Sequence, residues 1–233
     1  MALAIFDLDN TLLAGDSDYL WGLFLVERGI VNRESYESEN ARFYEEYKQG
    51  CLNIAEFLNF ALAPLAAHAP EKLYAWREEF IQEKITPIVL PAARALLQRH
   101  QAAGDTLMII TATNSFVTAP IAELYGIKHL IATTPEMVGG RYTGHFAGTP
   151  CFQGGKVTRL DEWLEKHQRD LAGSWFYSDS HNDLPLLKKV THAVAVDPDE
   201  TLALEATQHG WSIISLRDAE CPKPHLQRVD QHA

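Results

Sequence analysis

The segment Ala4-Ile5-Phe6-Asp7-Leu8-Asp9-Asn10-Thr11 decides how this chain folds and what it does, because a short apolar run ends there in two closely spaced carboxylates. Alternate side chains of a strand point to the same side of a sheet. Where the chain leaves the strand, Asp7 and Asp9 can therefore converge on one small volume. Two negative charges repel each other there unless a cation or a proton lies between them. The pattern predicts a site for a hard cation, a nucleophile, or both.

Length and charge narrow the class of protein. The 233 residues suffice for one large domain or for a domain with an insertion, and 20 Lys and Arg against 31 Asp and Glu give a net charge of −11. Without a basic run, neither a nucleic acid nor an anionic membrane surface is expected as a partner. No apolar stretch approaches the roughly 20 residues of a membrane span, and Asp7 interrupts any secretory signal. We therefore expect a cytoplasmic protein of unknown oligomeric state, with its three cysteines (Cys51, Cys151 and Cys221) reduced.

Strand-like and helix-like segments alternate along most of the chain. The short apolar runs lie at residues 106–111, 129–134, 175–178 and 193–196. Because each is followed by a helical pattern, they predict an α/β protein with a Rossmann-like, doubly wound parallel sheet and helices on both faces. Ligands of such sheets bind beyond the carboxyl ends of the strands, which is where Asp7, Thr111 and Asp179 fall.

One long segment breaks this alternation. Only helical signals occur between Gly15 and about Ile85, at residues 18–28, 33–48, from Asn53 onward, and 70–84. Some seventy residues are too long for a connecting loop in a compact domain. We predict an inserted all-helical cap domain over residues 15–85, within a core formed by residues 1–14 and 86–221.

Two smaller segments also stand apart. Residues 135–150 contain Gly139-Gly140 between short strand-like runs, which predicts a hairpin. That hairpin is either a flap beside the site or an ornament at the sheet edge, and the sequence favours neither. Residues 222–233 are predicted to form a loosely ordered tail.

Three further clusters of polar residues follow predicted strands or begin helices. Thr111 precedes Ala112-Thr113-Asn114 at a helix entrance, where its hydroxyl and free backbone N–H groups suit an anionic oxygen, or where it simply caps the helix. In Gln153-Gly154-Gly155-Lys156, the glycines allow close approach of the backbone to a ligand and place a lysine at a helix start, although a lysine is usually a surface charge.

The last of these clusters is Ser178-Asp179-Ser180-His181-Asn182-Asp183. Its carboxylates and amide oxygen suit a hard cation, while the alternative is an Asp-rich turn that caps the next helix. Taken together, the clusters supply carboxylates, an ammonium, a hydroxyl and helix-start amides at strand ends. This inventory indicates phosphoryl transfer, which depends on positioning and charge neutralisation.

The order of these motifs, from Ile5 to about Val196, resembles the haloacid dehalogenase-like superfamily, and more narrowly its phosphoserine-phosphatase-like branch with a helical cap. The resemblance implies that Asp7 is a nucleophile forming an aspartyl-phosphate, and that Asp9 is the general acid and base. It also implies that Mg²⁺ is held by Asp7, by the backbone carbonyl of Asp9 and by Asp179. The phosphoryl-binding and supporting residues would be Thr111, Lys156, Asn182 and Asp183, the last next to Lys156 and the water ligands of the metal. Asn10 stands where Gly or Ser is commoner in this family, and Asn tolerates a tight backbone turn.

The same resemblance suggests residues that contact the substrate. Asp16 stands nine positions after Asp7, at the spacing of the acidic residue that meets the substrate's ammonium group in phosphoserine phosphatases, and it could equally be a helix N-cap. Thr113, Asn182 and His181 are further candidates, His181 alternatively being only part of a turn. Arg42 or Lys48 would be candidates for binding a substrate carboxylate.

We therefore predict a Mg²⁺-dependent phosphomonoesterase acting on a small amine-bearing phosphate ester. Sequences with a similar first motif include histidinol-phosphate phosphatases, so L-histidinol phosphate is the first candidate substrate and O-phosphoserine the second. The alternatives are a phosphotransferase or mutase, and a non-catalytic protein that binds a phosphorylated ligand.

Overall fold

The computed structural model describes residues 2–217, so Cys221, the predicted tail at 222–233 and the last four residues of the predicted core lie outside the described residues. Within that part, one sheet contains seven strands: β1 (Leu3–Phe6), β2 (Thr106–Asn114), β3 (His129–Val138), β4 (Arg141–Ala147), β5 (Trp175–Ser178), β6 (His192–Val196) and β7 (Ser212–Ile214). Their order across the sheet is β4-β3-β2-β1-β5-β6-β7. All neighbouring pairs are parallel except β3 and β4. The predicted α/β class is confirmed, with β1 at the centre of the sheet.

Helices cover both faces of this sheet. The α-helices are α1 (Ser17–Glu27), α2 (Arg33–Lys48), α3 (Ile54–Ala67), α4 (Pro70–Phe80), α5 (Pro91–Ala102), α6 (Ser115–Leu124), α7 (Gly154–His167), α8 (Leu184–Leu187) and α9 (Glu200–His209). A π-helical turn (Ile81–Ile85) and a 3₁₀ turn (Thr86–Ile88) connect α4 to α5.

The side chains of β1 show how the two layers of helices bury the sheet. Ala4 and Phe6 belong to an apolar core formed with α5 and α6. Leu3 and Ile5 point the other way, into a second core formed with α7, α8 and α9. This alternation is what a strand buried on both faces requires, and it explains why β1 is apolar throughout.

Helices α1 to α4 all lie between β1 and β2 in the chain, where the sequence predicted only helices. Their apolar side chains are continuous with the core on the α5–α6 side, as shown by the ring of Trp21, whose centroid lies 5.6 Å from that of Phe116. We refer to residues 17–88 as the helical segment. That residues 15–85 form a separate cap domain stays a prediction.

The predicted hairpin is present, with Gly139-Gly140 at the turn between β3 and β4. Strand β4 forms one edge of the sheet and packs against α3, with the Cα of Gly144 so close that an added Cβ would lie 3.2 Å from the Cβ of Ala66. The ring of Tyr142 lies edge-on to Phe116, with centroids 5.6 Å apart. The hairpin is therefore an edge of the sheet that supports the helical segment.

Candidate active site

The two carboxylates of the first motif emerge at the carboxyl end of the central strand. The backbone N–H of Asp7 still donates to the carbonyl of Tyr177 at 2.9 Å, which continues the β1–β5 pairing by one residue. The chain then turns sharply, with Asn10 in the left-handed region at a φ of 57°. Asn adopts this conformation more readily than most residues. The turn leaves Asp7, a residue that is only 4% exposed, between β2 and β5.

A buried lysine connects Asp7 to the last motif. The Nζ of Lys156 lies 2.7 Å from a carboxylate oxygen of Asp7 and 2.8 Å from one of Asp183. The hydroxyl of Ser178 also donates to Asp183, at 2.7 Å. Burial alone would lower the pKa of Lys156, but the carboxylates of Asp183 and Asp7 together raise it, so Lys156 is protonated. Lys156 is thus a buried cation within the site and not a surface charge.

Gly155 explains how Lys156 reaches this position. A Cβ on Gly155, the second residue of α7, would lie 2.0 Å from the carbonyl oxygen of Pro150, so only glycine fits at this position without a shift of the backbone. Gln153, the residue before the helix, has a φ of 46° and a ψ of −121°. The tight entry to α7 directs the next side chain, Lys156, toward the end of β1.

Asp9 is held by contacts from two different elements. One carboxylate oxygen accepts a hydrogen bond from the backbone N–H of Ser17 at 2.6 Å, and the other accepts from the hydroxyl of Thr113 at 2.8 Å and of Thr111 at 3.4 Å. Burial raises the pKa of Asp9, although the hydrogen bonds from Ser17 and Thr113 oppose the shift. A carboxyl group with a raised pKa is better suited than an ordinary one to donate a proton and take it back.

The structure corrects the local interpretation of the second motif. Strand β2 does not end at Thr111 but continues to Asn114, with an irregular register against β3. Asn114, and not Thr111, caps α6, since its side chain accepts from the backbone N–H of Val117 at 3.3 Å. Thr111 and Thr113 are therefore two residues apart in one strand, which puts both hydroxyls on the same side, next to Asp9.

Asp179 completes the acidic group at the strand ends. One of its oxygens accepts from the hydroxyl of Thr11 at 2.9 Å. Burial and the charge of Asp7 raise the pKa of Asp179 well above its usual range. Within residues 2–217, no three His, Cys, Asp or Glu side chains are arranged as a metal cluster. The implied ligand set needs only two carboxylates and one backbone carbonyl, however, and a divalent cation between Asp7 and Asp179 would relieve their repulsion. The residues present therefore fit a hard cation.

His181 and Asn182 lie at the contact between the sheet and the helical segment. The Nδ1 of His181 is 2.8 Å from a carboxylate oxygen of Asp199, and its Nε2 is next to Gly50, where a Cβ would be only 2.7 Å away. The side-chain amide of Asn182 donates to the carbonyl of Tyr47 at 3.0 Å and accepts from Gln153 at 2.9 Å. Neither of these two predicted substrate-binding residues lines the cavity described next.

A cavity of about 570 Å³, including its open mouth, lies between the strand ends and the helical segment. Its lining combines carboxylates with aromatic rings: Asp7, Asp9, Asp16, Asp18, Tyr19, Asn40, Phe43, Tyr44, Tyr47, Leu52, Ile54, Phe57, Thr111, Ala112 and Thr113. Asp16 caps α1, with one oxygen accepting from the backbone N–H groups of Asp18 and Tyr19 at 2.9 Å each. The N-cap interpretation of Asp16 is thus correct, and the same side chain also faces the cavity.

The two candidate cations for a substrate carboxylate do not line this cavity. Arg42 is surrounded by Glu39, Glu46 and Glu56, with N–O distances of 2.7–2.8 Å. Lys48 pairs with Glu45 at 2.6 Å. Both cations are therefore neutralised by carboxylates of the helical segment.

The sequence motifs do not indicate that one face of α2 lines the cavity. Asn40, Phe43, Tyr44 and Tyr47 recur at intervals of three and four residues, which puts them on one side of the helix, and all four line the cavity. Burial, together with the charges of Asp7 and Asp179, raises the pKa of Tyr47 well above the usual range, and its backbone carbonyl accepts from the side-chain amide of Asn182 at 3.0 Å. The recurrence of these residues at helical spacing, in an otherwise strongly charged helix, is the sequence pattern that could have indicated this face.

Comparison with known proteins gives the family. The model of the haloacid dehalogenase-like hydrolase family matches residues 4–188. The chain belongs to the haloacid dehalogenase-like hydrolases. This hydrolase is 45% identical to a histidinol-phosphatase of Neisseria meningitidis serogroup C (strain 8013), an alignment that covers 92% of this chain and 99% of the relative. It is 32% identical to phosphoserine phosphatase SerB1 of Mycobacterium tuberculosis (strain ATCC 25618 / H37Rv), covering 94% and 72% of the two chains.

Solved structures share the fold of this chain. A protein with unknown function from Bordetella pertussis Tohama I superposes with a TM-score of 0.87 at 46% identity, covering 92% of this hydrolase and 98% of that chain. A substrate-bound phosphoserine phosphatase superposes with a TM-score of 0.68 at 18% identity, over 93% of each chain, and shows the shared fold alone.

These findings confirm the predicted family, fold class and enzyme class. The hydrolase is a phosphatase, that is, a phosphoric monoester hydrolase. Family membership thus favours hydrolysis over the phosphotransferase and non-catalytic alternatives. In residues 2–217, no helix has the length and apolar character needed to cross a membrane.

Proposed function

We propose that this phosphatase hydrolyses L-histidinol phosphate, in a Mg²⁺-dependent reaction that proceeds through an aspartyl-phosphate on Asp7. The observation that carries the choice of substrate is the charge of the cavity. Four carboxylates open on it, from Asp7, Asp9, Asp16 and Asp18, and no Lys or Arg is among its lining residues. Such a cavity suits a substrate that carries an amine and no carboxylate.

O-Phosphoserine, the second candidate, fits this cavity less well. Its carboxylate would be enclosed among four acidic side chains, with Arg42 and Lys48 already paired to glutamates. A buried charge without a partner is strongly unfavourable. The 45% identity to a histidinol-phosphatase, against 32% to a phosphoserine phosphatase, supports the same preference.

The ammonium group of the substrate has a partner in Asp16. The N-cap contacts of Asp16 involve only one carboxylate oxygen, Oδ1. No hydrogen bond within residues 2–217 occupies Oδ2, so this oxygen remains available to accept from a cationic amine in the cavity.

The proposed reaction has two displacement steps. A carboxylate oxygen of Asp7 attacks the phosphorus, the ester P–O bond breaks, and the leaving alkoxide takes the proton of Asp9 to give the alcohol. Asp9 then takes a proton from a water molecule, whose oxygen attacks the phosphorus of the aspartyl-phosphate. The bond to Asp7 breaks, inorganic phosphate leaves, and both carboxyl groups return to their initial states.

The surrounding residues stabilise the charge of the phosphoryl group. The Lys156 ammonium, 2.7 Å from Asp7, is positioned to interact with phosphoryl oxygens, and the Thr111 hydroxyl lies beside the acid–base group. Asp183 and Ser178 orient Lys156. Mg²⁺ held by Asp7, the Asp9 carbonyl and Asp179 would supply further neutralisation of phosphate charge.

The test is a phosphate-release assay with Mg²⁺ over L-histidinol phosphate, O-phosphoserine and several sugar phosphates. The expected result is a clear preference for histidinol phosphate, with inorganic phosphate and L-histidinol formed in equal amounts. Comparable rates on all substrates would refute the choice of substrate. A phosphorylated acceptor in place of free phosphate would refute hydrolysis.

A further inference from the structure

The cavity contains a second group of hydrogen-bond acceptors that the proposed reaction does not use. Asp18 lies in the first turn of α1, and one of its oxygens accepts from the side-chain amide of Asn114 at 3.3 Å. Its other oxygen takes no hydrogen bond within the described part of the chain. Asp18 lines the cavity, and burial together with the charge of Asp9 raises its pKa to about 7. This carboxylate therefore faces the cavity without a cationic partner.

Asn40 faces the same cavity from α2. The residue is only 6% exposed, and its side-chain nitrogen donates to the carbonyl of Tyr19 at 3.2 Å. The nitrogen is turned toward α1, since a Cβ on Gly22 would lie 2.8 Å from it. The amide oxygen has no hydrogen-bond partner among residues 2–217. Because Asn40 lines the cavity and its nitrogen is committed to Tyr19, the amide oxygen is the group of this side chain that is available to a donor there.

Aromatic rings enclose the space beside these two acceptors. The rings of Tyr19 and Tyr44 lie 5.0 Å apart between centroids, and those of Phe43 and Phe57 lie 5.4 Å apart. All four residues line the cavity. A flat aromatic ring packs well against such walls. Because Asp18 and Asn40 each offer a free acceptor oxygen beside these walls, the ring that fits best is one that carries N–H donors.

We propose that Asp18 and Asn40 form a ring-recognition subsite, in which the Asp18 carboxylate and the Asn40 amide oxygen accept hydrogen bonds from the two ring nitrogens of an imidazolium group. This inference rests on the proposed function and assigns the imidazole of L-histidinol phosphate to a place in the cavity. Asp16 serves the ammonium group, and the ring-recognition subsite determines which amine-bearing phosphate ester is preferred.

The experiment compares L-histidinol phosphate with L-phenylalaninol phosphate, which keeps the amine, the phosphate and an aromatic ring but has no ring nitrogens. The measured quantity is the ratio of kcat/KM for the two substrates. Asp18→Asn removes the negative charge that would face the imidazolium, and Asn40→Leu removes a neutral acceptor, so each should lower this ratio about tenfold or more. General damage to the fold would lower both rates together and leave the ratio unchanged. The matched control is Asp161→Asn, a surface carboxylate paired with Lys189, and its ratio should equal that of the wild type.

The outcomes separate this inference from the proposed function. If the wild type does not hydrolyse L-histidinol phosphate, the proposed function fails. If it does, but the wild-type ratio is near one or both variants keep the wild-type ratio, the ring-recognition subsite alone is refuted. Should the variants not fold, a crystal structure of Asp7→Asn with L-histidinol phosphate decides the matter. An imidazole nitrogen within hydrogen-bonding distance of Asp18 is the expected result, and a ring bound elsewhere would overturn the proposal.

Discussion

Replacing Lys156 by Met would show how strongly the buried ammonium stabilises the site. Met has a similar length and no charge, so Lys156→Met leaves Asp7 and Asp183 facing each other without a cation. The side chains of Lys156, Asp7 and Asp183 are 3%, 6% and 2% exposed, so solvent screens their interaction very little. Removing one partner from a buried ion pair costs about 3–5 kcal/mol, and we expect a loss of about this size in the free energy of unfolding at about pH 8.

The same change should depend on pH in a defined direction. Burial, with the charge of Asp183 added, already raises the pKa of Asp7 to about 7, and loss of the opposing Lys156 ammonium raises it further above that of the unfolded chain. A carboxyl group with a raised folded-state pKa binds its proton more tightly in the folded state, so stability falls as the pH rises through the unfolded-state pKa and up to the folded-state pKa. The loss in Lys156→Met should therefore be smaller at about pH 5, where protonation relieves the repulsion.

Urea unfolding followed by the fluorescence of the five tryptophans measures this effect, with EDTA present so that metal binding does not contribute. The control is Lys189→Met, which breaks an exposed pair with Asp161 whose side chains are 40% and 52% exposed. That control should lose no more than about 1 kcal/mol. A loss in Lys156→Met no larger than in the control, or a loss of equal size at both pH values, would refute the assignment of Lys156 as a buried counter-ion.

Three further predictions concern the nucleophile, the first turn of α7 and a buried histidine. Asp7→Asn should release no phosphate above background while its circular dichroism spectrum stays that of the wild type; retained turnover would remove Asp7 from the proposed reaction. Gly155→Ala should lower the free energy of unfolding by about 1–3 kcal/mol, because its Cβ would lie 2.0 Å from the carbonyl oxygen of Pro150. Gly154→Ala, where an added Cβ meets nothing within 4 Å, is the control and should change stability by no more than about 0.5 kcal/mol; equal effects would contradict the close-contact argument. Burial lowers the pKa of His100, so below its unfolded-state pKa of about 6.5 the unfolded chain binds more protons than the folded one, and stability is lost as the pH falls. The free energy of unfolding of His100→Gln, measured with urea, should fall less steeply at acid pH than that of the wild type. Parallel pH profiles of the two proteins would be evidence against a contribution of His100 to the acid loss of stability.

Local patterns were sufficient to predict the architecture. The apolar strand at residues 3–6 and the similar short apolar runs later in the chain indicated the parallel sheet. The region after Gly15 with only helical patterns corresponds to α1 to α4. Both patterns depend only on residues that are close in the chain, so they can be recognised without knowledge of tertiary contacts. The end of β2 was misplaced, because Thr111 resembled the end of a strand and the pairing that carries β2 on to Asn114 depends on β3.

The lining of the cavity was less accessible from the sequence. Tyr47 and Asn40 contact residues far from them in the chain, so their roles depend on how α2 packs over the strand ends. Arg42 looked like a candidate for binding a carboxylate, but three glutamates from two helices surround it. His181 likewise pairs with Asp199, 18 positions later. Single-sequence patterns identify which groups are present but not which of them are already paired.

The most direct test of the central claim is to trap the phosphoryl group during turnover. The enzyme is mixed with L-histidinol phosphate and Mg²⁺, quenched in acid within the first turnovers, digested and analysed by peptide mass spectrometry, with O-phosphoserine in a parallel reaction. We predict phosphorylation of Asp7 with histidinol phosphate and much less with phosphoserine. A phosphoryl group on another residue, or equal labelling of Asp7 by both substrates, would contradict the account.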